Sequence, residues 1–255
     1  MTRKNKRSEN PIGVGLTARQ MKRRKPIGSE HLIDIEPLTE NQKLLFKYYD
    51  EGKNIFAHGV PGSGKTFLLL YKALKQVLDE STPYDKIYIL RSLVQTREIG
   101  FMPGSEDDKK SLFEIPYKNM VKYMFQFSSD IEFEMLYGNL KAQNTISFWC
   151  TSFLRGITLD NAIIIVDEAQ NCTAHENFSI ISRCGEDTKI MFAGDIEQSD
   201  LVKSHERTGI LDFMKVIDVM PSFNKIEFGV DDIVRSPLVK EFVIVTGKQI
   251  GRAHV

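Results

Sequence analysis

Residues 59–66 combine glycines, a lysine and a threonine at the spacing of a phosphate-binding loop. Glycines let several backbone N–H groups approach one anion, and a helix that starts behind them adds its positive dipole end. The lysine is then expected to reach the terminal phosphates of a nucleoside triphosphate, and the threonine hydroxyl to ligate Mg²⁺. The candidate phosphate-binding residues are Gly59, Val60, Pro61, Gly62, Ser63, Gly64, Lys65 and Thr66.

The segments on either side of this loop are the ones that it needs. Residues 54–58 form a short apolar run that predicts a buried strand, and residues 66–78 are rich in Leu, Lys and Ala, which favours a helix. A phosphate-binding loop requires this strand and this helix. A glycine-rich turn without a ligand is the alternative interpretation.

Two adjacent acids, Asp167 and Glu168, follow the most apolar run of the chain, residues 162–166, which predicts a buried parallel strand. With a phosphate-binding loop upstream, Asp167 is the expected Mg²⁺ partner, and Glu168 is expected to polarise the water that attacks the γ-phosphate. The alternative is that the two acids cap the next helix.

Three further side chains are candidates for contact with a nucleotide. Gln198 follows a predicted strand at residues 189–193 and is placed to sense the γ-phosphate or the attacking water. Gln42 lies in a predicted helix over residues 40–50, and it either clamps adenine or faces solvent. Arg235 is a candidate cationic finger, acting in its own subunit or in a neighbour. Its alternative role is a surface ion pair with Asp231 or Asp232.

The remaining elements predict an α/β protein whose ligands collect at one edge of a mainly parallel sheet. In the helix at residues 40–50, Thr39 is the expected N-cap, and Leu44, Leu45 and Phe46 are expected to face inward. The aromatic and Met residues of two predicted helices are more typical of a core than of a stacking platform. Further strands are predicted at 86–90, 145–150 and 226–228, and further helices at 117–127, 131–140, 176–183 and 231–243.

A chain of 255 residues with 42% apolar content is long enough for one full domain with appendages. No apolar run reaches the roughly 18 residues of a membrane span, so we expect a soluble intracellular protein. Three cysteines without a CxxC pair suit a reducing compartment. Cys172, His175 and Cys184 are either ordinary helix residues or an incomplete zinc site.

The net charge of zero hides an asymmetry between the first residues and the rest. Residues 1–28 carry nine Lys or Arg and one acid, whereas the remainder has a net charge of −8. This basic tail lacks apolar periodicity, which predicts disorder in the free protein. It either binds nucleic-acid phosphates or acts as a solubilising tail that lies against the acidic body.

Five motifs in this order resemble the PhoH-like ATPases, and the resemblance spans about residues 38–245. The motifs occupy residues 59–66, 100–104, 167–171, 194–198 and 234–239. Proteins of this family are associated with phosphate starvation, occur in bacteria and their viruses, and resemble the first core domain of superfamily one helicases. The resemblance implies a RecA-like P-loop NTPase core with helices on both faces of the sheet, a cytoplasmic location, and the same roles for Lys65, Thr66, Asp167, Glu168 and Gln198.

We therefore expect a basic tail at residues 1–30 and one ATPase domain at 31–255. The expected activity is Mg²⁺-dependent ATP hydrolysis coupled to single-stranded nucleic acid, with RNA favoured. Because there is room for only one core, helicase-like motion would need a homo-oligomer, and a hexameric ring fits the family. The alternative is a nucleotide-dependent switch with slow hydrolysis. A GTPase is disfavoured because residues 224–227 only approach the guanine-binding motif. A small-molecule kinase is disfavoured because no basic lid segment follows the core.

Overall fold

A six-stranded sheet lies at the centre of the computed structural model of the chain. Its strands are β1 (Asn54–Gly59), β2 (Lys86–Arg91), β3 (Ile146–Cys150), β4 (Ala162–Asp167), β5 (Thr188–Gly194) and β6 (Phe223–Phe228). Their order is β3-β2-β4-β5-β1-β6, and all neighbouring strands are parallel. All carboxyl ends therefore meet at one edge of the sheet.

Helices cover both faces of this sheet. They are α1 (Glu40–Asp50), α2 (Lys65–Val77), α3 (Glu106–Phe125), α4 (Asp130–Ala142), α5 (Ala174–Ile181), α6 (Ser204–Asp218) and α7 (Pro237–Arg252). Alternate strand residues point into two separate apolar clusters, one shared with α1 to α4 and the other with α5 and α6. In β4, for example, Ile163 and Ile165 belong to the first cluster, and Ile164 and Val166 to the second. The predicted α/β fold with helices on both faces is confirmed.

The structure describes residues 28–92, 106–127, 129–151, 154, 156–195 and 204–252. The turn predicted at residues 100–104, the side chain of Gln198 and the basic tail up to residue 27 lie outside these ranges. Within them, no helix has both the length and the apolar character that crossing a bilayer requires.

The first helix differs in one respect from its prediction. Thr39 caps α1 by accepting a hydrogen bond from the Gln42 N–H at 3.3 Å, as expected. Leu45 is fully buried, but Leu44 is 36% exposed, so its predicted inward orientation is wrong. The buried face of α1 consists of Gln42, Leu45 and Tyr49, and Leu44 does not lie on this face.

The last helix begins later than its predicted start at residue 231. Residues Val230–Asp232 form a short 3₁₀ turn, and α7 starts only at Pro237. Proline disfavours helical geometry at the residue before it but fits the first position of a helix, so Ser236 interrupts the predicted run. As a result, Arg235 lies in the connection that precedes α7 rather than within a helix.

Candidate nucleotide site

The phosphate-binding loop is anchored to β6 where it leaves β1. The Val60 N–H donates to the Phe228 carbonyl at 3.0 Å. Gly59 has a φ of +120°, and a Cβ at this position would lie 2.0 Å from the Phe228 oxygen. Only glycine therefore fits at this close approach of two backbones.

Gly64 leads from the loop into α2. It is the N-cap of the helix and has a φ of +81°, a left-handed conformation that glycine adopts without strain. A glycine cap offers no side-chain acceptor to the first N–H groups of α2. The loop therefore presents the positive end of the helix dipole to an anion.

The Lys65 ammonium is bonded to the loop itself in this structure. Its Nζ donates to the carbonyl oxygens of Gly59 and Val60, each at 2.8 Å, and to Ser63 Oγ at 3.2 Å. The side chain is buried, and this burial lowers the pKa of Lys65. The nearby carboxylates of Asp195 and Glu168 act in the opposite direction. The loop thus holds a desolvated cation close to where phosphates would bind.

Asp167 ends β4, and two hydroxyl groups hold its carboxylate. The Thr66 Oγ1 donates to Oδ1 at 2.7 Å, and the Tyr117 hydroxyl donates to Oδ2 at 2.5 Å. Burial and the Asp167 charge both raise the pKa of Tyr117, so the phenol remains protonated and continues to donate. Thr66 and Asp167, which come from different elements, therefore present adjacent oxygen atoms.

These oxygen atoms suit Mg²⁺, which prefers hard oxygen ligands. Water and phosphate oxygens usually complete its coordination shell. The described residues hold no group of three or more His, Cys, Asp and Glu side chains that could bind a metal. Mg²⁺ in a phosphate-binding loop does not need such a group, but zinc does. Within the described residues, Cys172, His175 and Cys184 accordingly form no zinc site.

Glu168 adopts an unusual backbone conformation directly after β4. Its φ is +52°, in the left-handed region that non-glycine residues rarely occupy. Its carboxylate accepts a hydrogen bond from Gln170 Nε2 at 2.6 Å. Burial and the neighbouring Asp167 charge raise the pKa of Glu168, whereas Arg91 and Gln170 oppose that shift.

A cavity of about 250 Å³ opens between the loop and the carboxyl edge of the sheet. It brings together most of the predicted site residues, including both acids. Its lining includes Pro61, Gly62, Gly64, Lys65, Thr66, Asp167, Glu168, Asp195 and Arg235.

Gln42 is buried against the phosphate-binding loop rather than facing solvent. It is 2% exposed, and its Nε2 donates to the Ser63 carbonyl at 3.0 Å. Its Oε1 accepts from the Leu38 N–H at 2.7 Å. The predicted solvent-facing alternative is therefore wrong, and Gln42 ties the start of α1 to the loop.

Arg235 lies against the loop of its own chain. A Cβ placed on Gly62 would lie 3.0 Å from the Arg235 Cγ, and the Val234 N–H donates to the Gly62 carbonyl at 3.2 Å. The two acids proposed as its surface partners contact other groups. Asp232 accepts from Asn41 at 2.7 Å, and Asp231 lies 3.9 Å from Lys240.

The family comparison agrees with this geometry. The profile of the family described as PhoH-like protein matches residues 34–246. The chain belongs to this family. The resemblance that the five sequence motifs indicated is therefore confirmed.

Curated PhoH-like relatives share a moderate part of the sequence. A PhoH-like protein of Mycobacterium tuberculosis is 30% identical over 82% of this chain and 57% of its own length. Protein PhoH of Escherichia coli is 30% identical over 78% of this chain and 54% of its own length. The chain thus spans little more than half the length of these relatives.

One solved structure also aligns with the chain. It is the large terminase of a thermophilic bacteriophage in complex with ADP, with 14% identity and a TM-score of 0.43. The alignment covers 80% of this chain and 49% of that chain.

Two residues of this PhoH-like site were not predicted to belong to it. Tyr117 was assigned to the core as one of several aromatic residues, and its contact with Asp167 spans 50 positions of sequence. Gln170 lies within a recognised motif, but no role was predicted for it. Its place two residues after Glu168 is a local signal that could have found it.

Proposed function

We propose that the chain binds ATP with Mg²⁺ and hydrolyses it. The observation that carries this proposal is the 2.7 Å contact between the Thr66 hydroxyl and the Asp167 carboxylate, in a cavity that Lys65 and Glu168 also line. Lys65 and Thr66 begin α2, Asp167 ends β4 and Glu168 follows it, yet the four groups meet where a loop of glycines presents a helix N-terminus. Thr66 and Asp167 would hold Mg²⁺, which supplies charge neutralisation at the phosphates.

Phosphate binding on this proposal requires Lys65 to change partners. The ammonium leaves the carbonyl oxygens of Gly59 and Val60 and donates to phosphate oxygens instead. Hydrogen bonds between charged partners are stronger than bonds to neutral carbonyls, so the exchange favours the bound state. The backbone N–H groups at 62–66 and the dipole of α2 complete the anion site.

Glu168 is the proposed acceptor of the proton from the attacking water. Burial raises the pKa of its carboxyl group towards physiological pH, which makes the carboxylate a stronger general base. Arg235 lies beside Gly62 and is the proposed cation for the charge that develops on the γ-phosphate. Gln198, which lies outside the described residues, is proposed to sense the γ-phosphate.

ATP is favoured over GTP as the substrate. Gln42 is proposed to contact the adenine, which would require its amide to exchange its present hydrogen bonds to Ser63 and Leu38 for bonds to the base. Residues 224–227, which approach a guanine motif, lie inside β6. Asn224 is level with Ile55 of β1, well before the carboxyl edge, where a base would bind.

Coupling to single-stranded nucleic acid, with RNA favoured, is the wider part of the proposal. Its support is the basic tail, whose nine Lys or Arg suit phosphate contacts. We place residues 31–255 in one ATPase domain that works in the cytoplasm. Any helicase-like motion is assigned to a homo-oligomer, such as a hexameric ring.

The deciding experiment measures ATP turnover with and without single-stranded RNA, beside GTP. RNA-stimulated ATP turnover supports the proposal. Slow turnover that RNA does not change would favour a regulatory switch, and faster turnover of GTP would overturn the choice of base. The absence of both turnover and ATP binding would overturn the proposed function.

A further inference from the structure

The Gln170 side chain lies between the proposed base and the next strand of the sheet. It is 5% exposed and belongs to the 3₁₀ turn Ala169–Asn171 that follows Glu168. Its Nε2 donates to Glu168 Oε2 at 2.6 Å, and its Oε1 accepts from the Asp195 N–H at 2.9 Å. One amide therefore connects the ends of β4 and β5.

The orientation of this amide follows from the chemistry of its partners. The backbone N–H of Asp195 is a donor only, so it requires the amide oxygen of Gln170. The ionised carboxylate of Glu168 is an acceptor only, so it requires the amide nitrogen. A flipped amide would lose both hydrogen bonds. The two contacts thus fix Gln170 in a single orientation.

The end of β5 is shaped to admit this side chain. A Cβ on Gly194 would lie 2.9 Å from Gln170 Oε1 and 3.4 Å from the Gln170 backbone nitrogen. A side chain at residue 194 would therefore press on the amide. Glycine at this strand end leaves the space that the link occupies.

Glu168 needs such support because its backbone is in the left-handed region. Its backbone carbonyl accepts from the Asn171 N–H at 2.8 Å, which holds the main chain in this turn. The carboxylate itself is held by the Gln170 amide, in a charge-assisted hydrogen bond. One oxygen of the Glu168 carboxylate, Oε2, is thereby held in place.

We propose that Gln170 is a positioning residue for hydrolysis, holding the Glu168 carboxylate at a fixed place relative to the end of β5. This inference rests on the proposed ATPase function and on Glu168 as its base. Gln170 is not among the described residues that line the proposed nucleotide cavity. It acts only through Glu168, and it ties that carboxylate to a strand whose end, at Asp195, lines the same cavity.

Two substitutions by side chains close in size to glutamine test the contacts of Gln170 with Glu168 and Asp195. Gln170→Met removes both hydrogen bonds, whereas Gln170→Glu keeps an acceptor for the Asp195 N–H and loses the donor to Glu168. At saturating ATP, both variants are expected to lower the single-turnover hydrolysis rate about 10- to 100-fold, since a misplaced catalytic group costs this much. For Gln170→Met, the ATP dissociation constant should stay within about twofold, because the residue does not act through binding.

Gln143→Met is the matched control, since it makes the same change at an exposed glutamine that follows α4 as its C-cap. It should leave the hydrolysis rate unchanged. If Gln170→Met fails to fold, as judged by circular dichroism, Gln170→Glu decides the matter alone. A near wild-type rate in a folded Gln170 variant would overturn the inference while leaving the ATPase proposal intact.

A double-mutant comparison separates positioning from general structural support. In a Glu168→Gln background, Gln170→Met should cause no further loss of the residual rate, because the group that it positions is already gone. A second loss that multiplies the first would show that Gln170 acts elsewhere and would overturn the inference. A wild-type chain that binds ATP without hydrolysing it would overturn the ATPase proposal and this inference together.

Discussion

Lys65 supplies the cation of the proposed phosphate site, and burial already desolvates it before any ligand binds. Its three hydrogen bonds to the loop satisfy the buried ammonium. The same bonds hold the cation within reach of an incoming phosphate chain. The ammonium is thus already beside the proposed phosphate position, and binding requires only that its hydrogen bonds pass from loop oxygens to phosphate oxygens.

Lys65→Ala removes this cation from the loop. ATP turnover should fall about 100- to 1000-fold, as expected for the loss of one preorganised donor at developing negative charge. The measurement is steady-state phosphate release at saturating Mg²⁺ and ATP. Lys75→Ala, at a half-exposed lysine of the same helix, is the control and should retain turnover.

Glu168→Gln keeps the shape of the side chain but removes the base. Hydrolysis should fall by about 100- to 10,000-fold, because general base catalysis contributes that much, while ATP still binds. Equilibrium binding of a fluorescent ATP analogue and single-turnover hydrolysis measure the two effects separately. Turnover that survives the substitution would remove Glu168 from its proposed role.

Most residues of the candidate site could be predicted because their signals are local. The loop, Asp167 and Glu168 are each defined by a few adjacent positions at the end of an apolar run. The contacts of Tyr117 with Asp167 and of Gln170 with Asp195 join residues 50 and 25 positions apart. Such contacts depend on how the elements pack, and no local pattern records them.

The element that local rules describe least well is α3. The spacing of the apolar residues predicts a helix over residues 117–127, and Pro116, just before it, is a residue that normally ends or kinks a helix. In the structure, α3 instead extends from Glu106 through Pro116 to Phe125. Tyr117, Val121 and Met124 are buried on one side of it, and this packing overrides the local penalty. The helix thereby brings a tyrosine hydroxyl to the proposed metal site.

Tyr117→Phe tests the contribution of α3 to that site. The ring, which lies 5.3 Å from the Phe148 ring between centroids, should keep its packing, while the donor to Asp167 is lost. The Mg²⁺ concentration for half-maximal turnover should rise about 10-fold, at the low end of the effect of groups that orient a metal ligand. Tyr123→Phe, at an exposed tyrosine of α3, should leave it unchanged. An unchanged Mg²⁺ dependence for Tyr117→Phe would contradict this role.

A second contact between elements makes the stability of the fold depend on pH. Lys189 of β5 is 3% exposed, and its Nζ donates to the Tyr49 carbonyl of α1 at 2.9 Å. Burial lowers the pKa of Lys189 to about 8, against about 10.4 in an unfolded chain. Below pH 8 both states bind the proton. Between pH 8 and about 10.4 the unfolded state binds more protons, so stability rises with pH.

Urea unfolding at pH 8 and pH 9.5 measures this effect. Because one pKa unit corresponds to about 1.4 kcal/mol, the free energy of unfolding should rise about 1 to 2 kcal/mol more in the wild type than in Lys189→Met. The Tyr49 carbonyl keeps its bond from the Gly52 N–H in the variant. Equal changes for both proteins would show that Lys189 is not the group responsible.

The charge of the chain is divided between a basic tail and an acidic body. Residues 1–28 have a net charge of +8, and the rest of the chain has −8. An acidic body repels nucleic acid, so the proposed RNA contact must draw its electrostatic attraction from the tail or from local basic groups. If the tail supplies this attraction, it should also set much of the salt dependence of the proposed RNA binding.

Deletion of residues 1–28 should weaken binding to single-stranded RNA and flatten its salt dependence. Each phosphate contact on a single strand contributes about 0.7 to the slope of log affinity against log salt, so losing several contacts should lower the slope by several units. Fluorescence anisotropy across a salt series measures this slope. A full-length variant with its nine tail Lys and Arg replaced by Gln separates charge from length. If that variant keeps the wild-type slope, the tail acts as a spacer, and the nucleic-acid contact must be sought on the body.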